Sequence, residues 1–207
     1  MPPADGPLTR EDILATAEDV IRRFGPEKAT VMDVARALGV SHTAVYRHVA
    51  SKAELQDLVV GRWMEEIMPP LRTVAAQPGP APQRLRRLMD ALIAVKRRRA
   101  AEDPQLFASY RALAANAKAV VAAHVDHLVG LLATVIRAGA EEGTLRALDP
   151  VVAGRAVLIA TSRFHHPAHA ADWTDATIDA AYNDVWQLLM QGLCAAAADH
   201  AGAASGA

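Results

Sequence analysis

Thr30-Val31-Met32-Asp33-Val34-Ala35-Arg36-Ala37-Leu38-Gly39-Val40-Ser41-His42-Thr43-Ala44-Val45-Tyr46-Arg47-His48-Val49 is the stretch whose reading decides the fold. Thr30 caps a short helix whose apolar face is Val31, Val34, Ala35 and Leu38. Gly39 supplies the positive φ of a sharp turn, Val40 plugs the angle between two helices, and Ser41 restarts the chain as an N-cap. The next helix, expected to run about two turns, buries only Ala44, Val45 and Val49. His42, Thr43, Tyr46, Arg47 and His48 crowd its other side. Caps and periodicity alone fit any small three-helix bundle. The dense polar and aromatic surface at the start of so short a helix is what a reader of the DNA major groove needs.

Outward from this stretch the helix signals continue. Thr9 caps a first helix, with Leu8 and Ile13 in staple positions and Gly25-Pro26 as its stop. Ser51 opens a fourth helix through the capping box Ser51-x-x-Glu54, ahead of Leu55, Leu58, Val59, Trp63 and Ile67. The net charge of −1 gives no global argument for a nucleic-acid partner. Between Asp33 and Glu54, however, there is no acid, while Arg36, Arg47 and Lys52 supply a local basic face.

The run Thr30 to Ser41, followed by Val45-Tyr46-Arg47-His48-Val49 and Ser51-Lys52-Ala53-Glu54-Leu55, resembles the DNA-binding domain of the TetR family of repressors. The match covers about residues 9 to 60. It implies that Tyr46 and Lys52 hold phosphates, with Thr30, Ser41 and the helix N-termini adding backbone donors. It implies further that His42 and Thr43 read bases and that Arg47 or His48 reaches bases or phosphates. Thr43 departs from the small residue or proline usual in the family.

The remaining chain is expected to be all-α as well. Leucine and alanine dominate a 52% hydrophobic composition, aromatics are 4%, and no sustained alternation argues for strands. Pro69-Pro70 and the run Gln77 to Pro82 mark a kinked connection. Helices are then expected from Gln83, from Asp103-Pro104, from about Val120 to near Gly143, from Asp149-Pro150 to Pro167, and from Thr174 or Asp175. The expected division is a helix-turn-helix domain over 1–55, a connector helix over 52–68, an effector-binding and dimerisation domain over 69–197, and a flexible tail over 198–207. The last two long helices are apolar over more than one stripe, and Ala153, Gly154, Ala156 and Ala160 are small enough to admit another helix. A homodimer built through them is expected; the alternative is a wide face buried within one subunit.

The polar start from Met1 is unlike a signal peptide, and no apolar run is expected to span a bilayer. Single Cys194 allows no internal disulfide. A cytoplasmic protein without membrane partner or cofactor is expected. Arg84, Arg86, Arg87, Lys96 and the run Arg97-Arg98-Arg99 read as a solvated helix face that is at most weakly attracted to the DNA backbone. A small-molecule effector is expected among Met89, Leu92, Phe107, Tyr110, His124, Leu128 and Phe164, favouring a state that releases a palindromic operator. The alternative is a metal-responsive regulator using His124, His127, His165, His166 and His169, with His124 and His127 one turn apart on one face. A helical enzyme is disfavoured, since no phosphate loop, nucleophile elbow or H-E-x-x-H motif is present.

Overall fold

The computed structural model describes residues 7–195, so the chain start and the tail over 198–207 lie outside it. Eleven α-helices and one 3-10 run account for the described fold. The helices are α1 (Arg10–Phe24), α2 (Val31–Leu38), α3 (His42–Tyr46), α4 (Lys52–Glu65), α5 (Met68–Ala75), α6 (Ala81–Glu102), α7 (Pro104–Ala114), α8 (Lys118–Glu141), α9 (Pro150–Ala160), α10 (Ser162–His165) and α11 (Ile178–Leu193). The 3-10 run is Pro167–Thr174. Extended pairing among the described residues is limited to one bridge between Leu145 and Cys194.

The N-terminal helices start and stop for local reasons. Thr9 and Thr30 each close a reciprocal capping box, with Asp12 and Asp33 respectively, so both orphan backbone donors and the cap hydroxyl find partners. Gly39 adopts φ 68°, ψ 25°, and the N–H of Val40 reaches back to the carbonyl of Ala35, the closure of a left-handed helix end. Ile13, Ala17, Val34, Val45 and Val49 then meet in one core, each no more than 2% exposed.

That core does not close on itself. Val59, Val60, Trp63 and Met64 of α4 belong to it, and so do Phe107, Tyr110 and Leu113 of α7 and Trp173 from the 3-10 run. A second core joins α5, α6, α8, α9 and α11 around Leu71, Leu85, Met89, Leu132, Ile136 and Trp186. Gly154 lets α9 lie against α8: a Cβ there would sit 3.2 Å from Leu132 Cβ and from the Val129 carbonyl. Ala153 and Gly154 are therefore spent inside the subunit rather than on an external helix.

Several boundaries differ from the sequence expectation. Pro69 and Pro70 do not break the chain. They occupy the first turn of α5, where a missing N–H costs nothing, and Pro82 likewise begins α6. The helix expected to run unbroken to Pro167 stops at Ala160. There the fully buried Thr161 hydroxyl donates to the Val157 carbonyl at 2.8 Å, and the chain restarts as α10. α3 has five residues rather than two full turns. α8 is long and apolar enough, by length and composition, to cross a membrane, contrary to expectation. Here it is a core helix packed against α4, α5, α6 and α9.

Two glycines of α8 make the packing testable. A Cβ on Gly139 would lie 2.6 Å from Ala81 Cβ, whereas one on Gly130 meets nothing within 4 Å. Gly139→Ala should lower stability by about 1–3 kcal/mol through overpacking. Gly130→Ala should raise it by up to about 1 kcal/mol through helix propensity. Denaturant midpoints at one fixed protein concentration check both signs.

Candidate functional site

The helix-turn-helix presents an exposed polar edge. Ser41 accepts from the N–H of Ala44 and so starts α3. Burial of Val45 and Val49 against α1 and α2 then fixes which side of α3 faces out. His42, Thr43, Tyr46 and Arg47 are exposed on that side, while His48 is half-buried. The His42 and Tyr46 rings meet edge to face with centroids 6.4 Å apart, which braces Tyr46 although it is 46% exposed.

Two neighbouring groups carry structural work as well. Lys52 Nζ donates to the Glu27 carbonyl at 2.7 Å, tying the start of α4 to the α1–α2 connection and leaving further N–H bonds free. Thr30 has both its hydroxyl and its backbone N–H engaged by Asp33. The donors open at the start of α2 are therefore those of Val31 and Met32 at the helix N-terminus.

The second feature is a cavity of about 740 Å³, lined by α4, α6, α7, α8, α9, α10 and the start of the 3-10 run and open to solvent on one side. Val121, Val125, Leu128 and Leu158 form apolar walls, while Lys96, Tyr110, Arg111, His124 and His165 bring polar groups to it. Of the residues expected around an effector, Tyr110, His124 and Leu128 line this cavity. Met89 and Leu92 instead face a separate void of about 10 Å³. Phe107 packs between Trp63 and Trp173, with ring centroids 5.9 Å from each. Phe164 packs on Tyr182 at 5.2 Å. Lys96 was missed because it opens an arginine-rich run. Its spacing gave the signal, since Leu85, Met89, Leu92 and Lys96 follow one another at intervals of four, three and four on a single stripe.

The arginines around Lys96 are not a free basic face. Arg97 pairs with Asp179 at 2.7 Å, and Arg99 pairs with Glu66 at 2.9 Å while lying over the Trp63 ring. Arg86 pairs with Asp90 and lies over Tyr182. These groups lock helices together.

The histidines also separate. His127 points outward to Glu65 at 3.3 Å, whereas His124 is 6% exposed, so the two do not share a face. His166 and His169 lie against each other, with ring centroids 6.2 Å apart, beyond α10. No three His, Cys, Asp or Glu side chains converge as metal ligands among the described residues. Cys194 is half-buried at the end of α11.

Burial governs ionisation in the cavity. It pushes the His124 imidazole down to about 3 and His165 to about 4, with Lys96 adding repulsion in both cases. His165 Nε2 donates to the Leu158 carbonyl at 3.2 Å, which fixes the neutral tautomer. Below about pH 6.5 the unfolded chain takes up protons at these two positions that the folded chain refuses until about pH 4 or lower. Stability should therefore fall as pH drops through that window. Urea midpoints of a His124→Leu/His165→Leu variant should fall more gently than those of the wild type.

With this geometry in place, comparison with known proteins is direct. Residues 13–58 match the bacterial regulatory proteins of the tetR family, and residues 81–186 match the tetracyclin repressor-like C-terminal domain. SmeT, the repressor of the Stenotrophomonas maltophilia multidrug efflux pump SmeDEF, is similar with a TM-score of 0.66 at 19% identity, over 90% of this chain and 91% of that one. The fatty acid degradation regulator FadR from Bacillus halodurans gives 0.63 at 19% identity over 91% and 97%. FadR from Bacillus subtilis gives 0.60 at 17% identity over 89% and 99%. No curated protein matches the chain. The two matched segments cover the helix-turn-helix and, apart from the end of α4, the helices that line the cavity, and the chain belongs to the TetR family of DNA-binding transcriptional regulators.

Proposed function

We propose that this regulator is a homodimeric repressor, released from a two-fold symmetric operator when a small molecule enters the 740 Å³ cavity. The observation that carries the reading is the placement of α4. Its first residue follows the recognition segment, while near its other end Met64 lines the cavity and Trp63 stacks on Tyr110 at 3.9 Å. A ligand that displaces Tyr110 or Met64 acts directly on the helix that carries α1–α3. Because binding and release are linked, such a ligand weakens operator affinity by the factor by which DNA weakens its own binding.

In this reading 1–55 is the DNA-reading unit, α4 its connector, and 69–197 the effector-binding and dimerising unit, acting in the cytoplasm where the DNA is. SmeT in complex with triclosan and the Bacillus subtilis FadR in complex with stearoyl-CoA are relatives of this fold with small molecules bound. Their example supports an effector role for the cavity.

A five-residue recognition helix contacts too few bases for a specific site, so a dimer is needed to read two half-sites about 34 Å apart. The helices with unpartnered apolar side chains support α9 and α11 as its interface. Val152 is 66% exposed, Ile159 65% and Leu188 69%. With Ala153 and Gly154 committed to α8, the small residues open to a partner are Ala156 and Ala160. Val152→Asp or Leu188→Asp should weaken self-association by at least about tenfold, roughly 1.4 kcal/mol. Sedimentation should show monomers that have lost operator affinity yet keep their helical content.

Selection of bound sites from random duplex DNA tests the function itself. Recovery of a symmetric site is expected; recovery of no preferred sequence overturns the reading. With that site in hand, Tyr46→Ala and Lys52→Ala should weaken binding to all sequences. Loss of the Lys52 phosphate contact from both subunits of the dimer should reduce the salt slope by about 2. His42→Ala should instead relax base preference by about 1–3 kcal/mol at one position. Equal, sequence-independent losses from all three would show that no base is read by His42.

A further inference from the structure

Lys96 is the one buried lysine among the described residues, at 6% exposure, and its side chain lines the cavity without an ion-pair partner among them. Its surroundings are cationic or neutral. Arg99 lies one turn further along α6, Tyr110 and Arg111 come from α7, His124 from α8, and His165 and His166 from α10 and its end. Not one of the residues lining the cavity is an acid. An unpaired buried ammonium is costly, and an apolar residue at this position of the stripe would pack without that cost. Burial, with Arg99 second, pushes Lys96 down to about 8, which leaves it mostly charged at neutral pH.

A second, independent observation concerns His124. Both of its ring nitrogens are buried and neither has a hydrogen-bond partner, although a neutral imidazole carries one donor and one acceptor. His165 is different, because its Nε2 is satisfied by Leu158 and Thr161. The orphaned His124 imidazole and the Lys96 ammonium, which has no carboxylate beside it, both belong to the lining. Beside Tyr110, Arg111, Ser162, His165 and His166 the wall is aliphatic, and Val121, Val125, Leu128 and Leu158 give it its apolar stretch.

We propose that the effector of this cavity is an amphiphilic organic carboxylate, whose oxygens accept from Lys96 Nζ and the His124 ring N–H and whose aliphatic body lies against Val121, Val125, Leu128 and Leu158. This rests on the reading of the cavity as the effector site, and it adds the chemical class. An anion supplies the missing counter-charge, whereas a cationic ligand meets Lys96 and Arg111 with no acid to hold it. The volume suits a ligand of ordinary small-molecule size. Carboxylate binding also restores Lys96 to full protonation, so near pH 8 it draws in a fraction of a proton.

The test is titration calorimetry of the full-length protein with three probes of one chain length: decanoate, decanol and decylamine. Decanoate should bind at least about tenfold more tightly than decanol, the effect of one charge-assisted hydrogen bond, and decylamine should bind weakest. Its heat at pH 8 should depend on the buffer, reporting proton uptake. Lys96→Met should bring decanoate and decanol to within about twofold of each other and abolish the buffer dependence, without lowering the thermal midpoint. Lys96→Gln provides the same readout should the methionine variant fold poorly. His124→Leu should weaken decanoate several-fold and leave decanol unchanged. Decanol bound as tightly as decanoate, or decanoate unaffected by Lys96→Met, overturns the carboxylate assignment and leaves the cavity standing as an effector site. Failure of all three probes to bind overturns the carboxylate assignment. Probes still bound with full affinity by a Val121→Trp/Val125→Trp/Leu128→Trp variant, which obstructs the apolar wall, overturn both the assignment and the site.

Discussion

Val59, Val60, Trp63 and Met64 of α4 sit where the apolar surface of α1–α3 meets that of α7, and neither surface is covered without them. α2 and α3 are short and together offer few large side chains. Their core is completed by Trp63, Phe107, Tyr110 and Trp173, which reach it from outside the helix-turn-helix. Truncating one such aromatic in a core costs on the order of 3–5 kcal/mol. A coupling free energy between ligand and DNA is typically about 1–3 kcal/mol. A ligand therefore cannot strip α4 away from either neighbour. In the proposed function it repacks Trp63 against Tyr110, and α1–α3 follow α4.

The charged side chains at the same junction fit that limit. Arg62 on α4 reaches Glu11 at 2.7 Å and Glu18 at 3.2 Å on α1, and Arg22 on α1 reaches Asp103 at the cap of α7 at 2.9 Å. Burial raises the Glu18 carboxyl, and the Arg62 guanidinium only partly opposes it, so the site is partly dry. Arg62 and Arg22 hold α1 to α4 and to α7 through several long, adaptable side chains. Such contacts bend and exchange partners at small cost, whereas packed aromatic faces do not.

How much of this was readable in the chain depends on whether the signal was local. Thr9, Thr30, Ser41, Ser51 and Gly39 announce their roles through caps and one left-handed turn, interactions that span three to five residues, and the N-terminal helices fall where those signals put them. Pro69 and Pro70 misled because a proline pair looks the same before a helix as inside one; only the burial of Met68 and Leu71 shows that α5 is worth forming. The break at Thr161 depends on a buried hydroxyl bonding back to Val157, and nothing in the Ala-Ile-Val run around it announces that. Ala153 and Gly154 carried a true signal, close helix approach, but sequence could not say which helix approaches, and it is α8 of the same subunit. The cavity was legible in part. Tyr110, His124 and Leu128 were visible as polar or apolar residues on core-facing stripes, whereas Phe107 and Phe164 are aromatics that the folded chain uses for packing.

Lys96 shows the same distinction in charge. In sequence it stands at the head of a basic run, and three of its neighbours in that run, Arg97, Arg98 and Arg99, find carboxylates. Helical geometry turns Lys96 the other way, onto the stripe of Leu85, Met89 and Leu92, where no carboxylate follows it. A run that looks like one solvated patch thus divides residue by residue: Arg97 and Arg99 tie α6 to other elements, Arg98 pairs with Glu102 within α6, and Lys96 is a single charge kept in the cavity. On the tied side each arginine has a partner, so its removal loosens a contact. On the cavity side the ammonium has no carboxylate beside it, so what balances its charge is the content of the cavity, solvent or ligand. That asymmetry gives the cavity a preference for the sign of its ligand before any shape is considered.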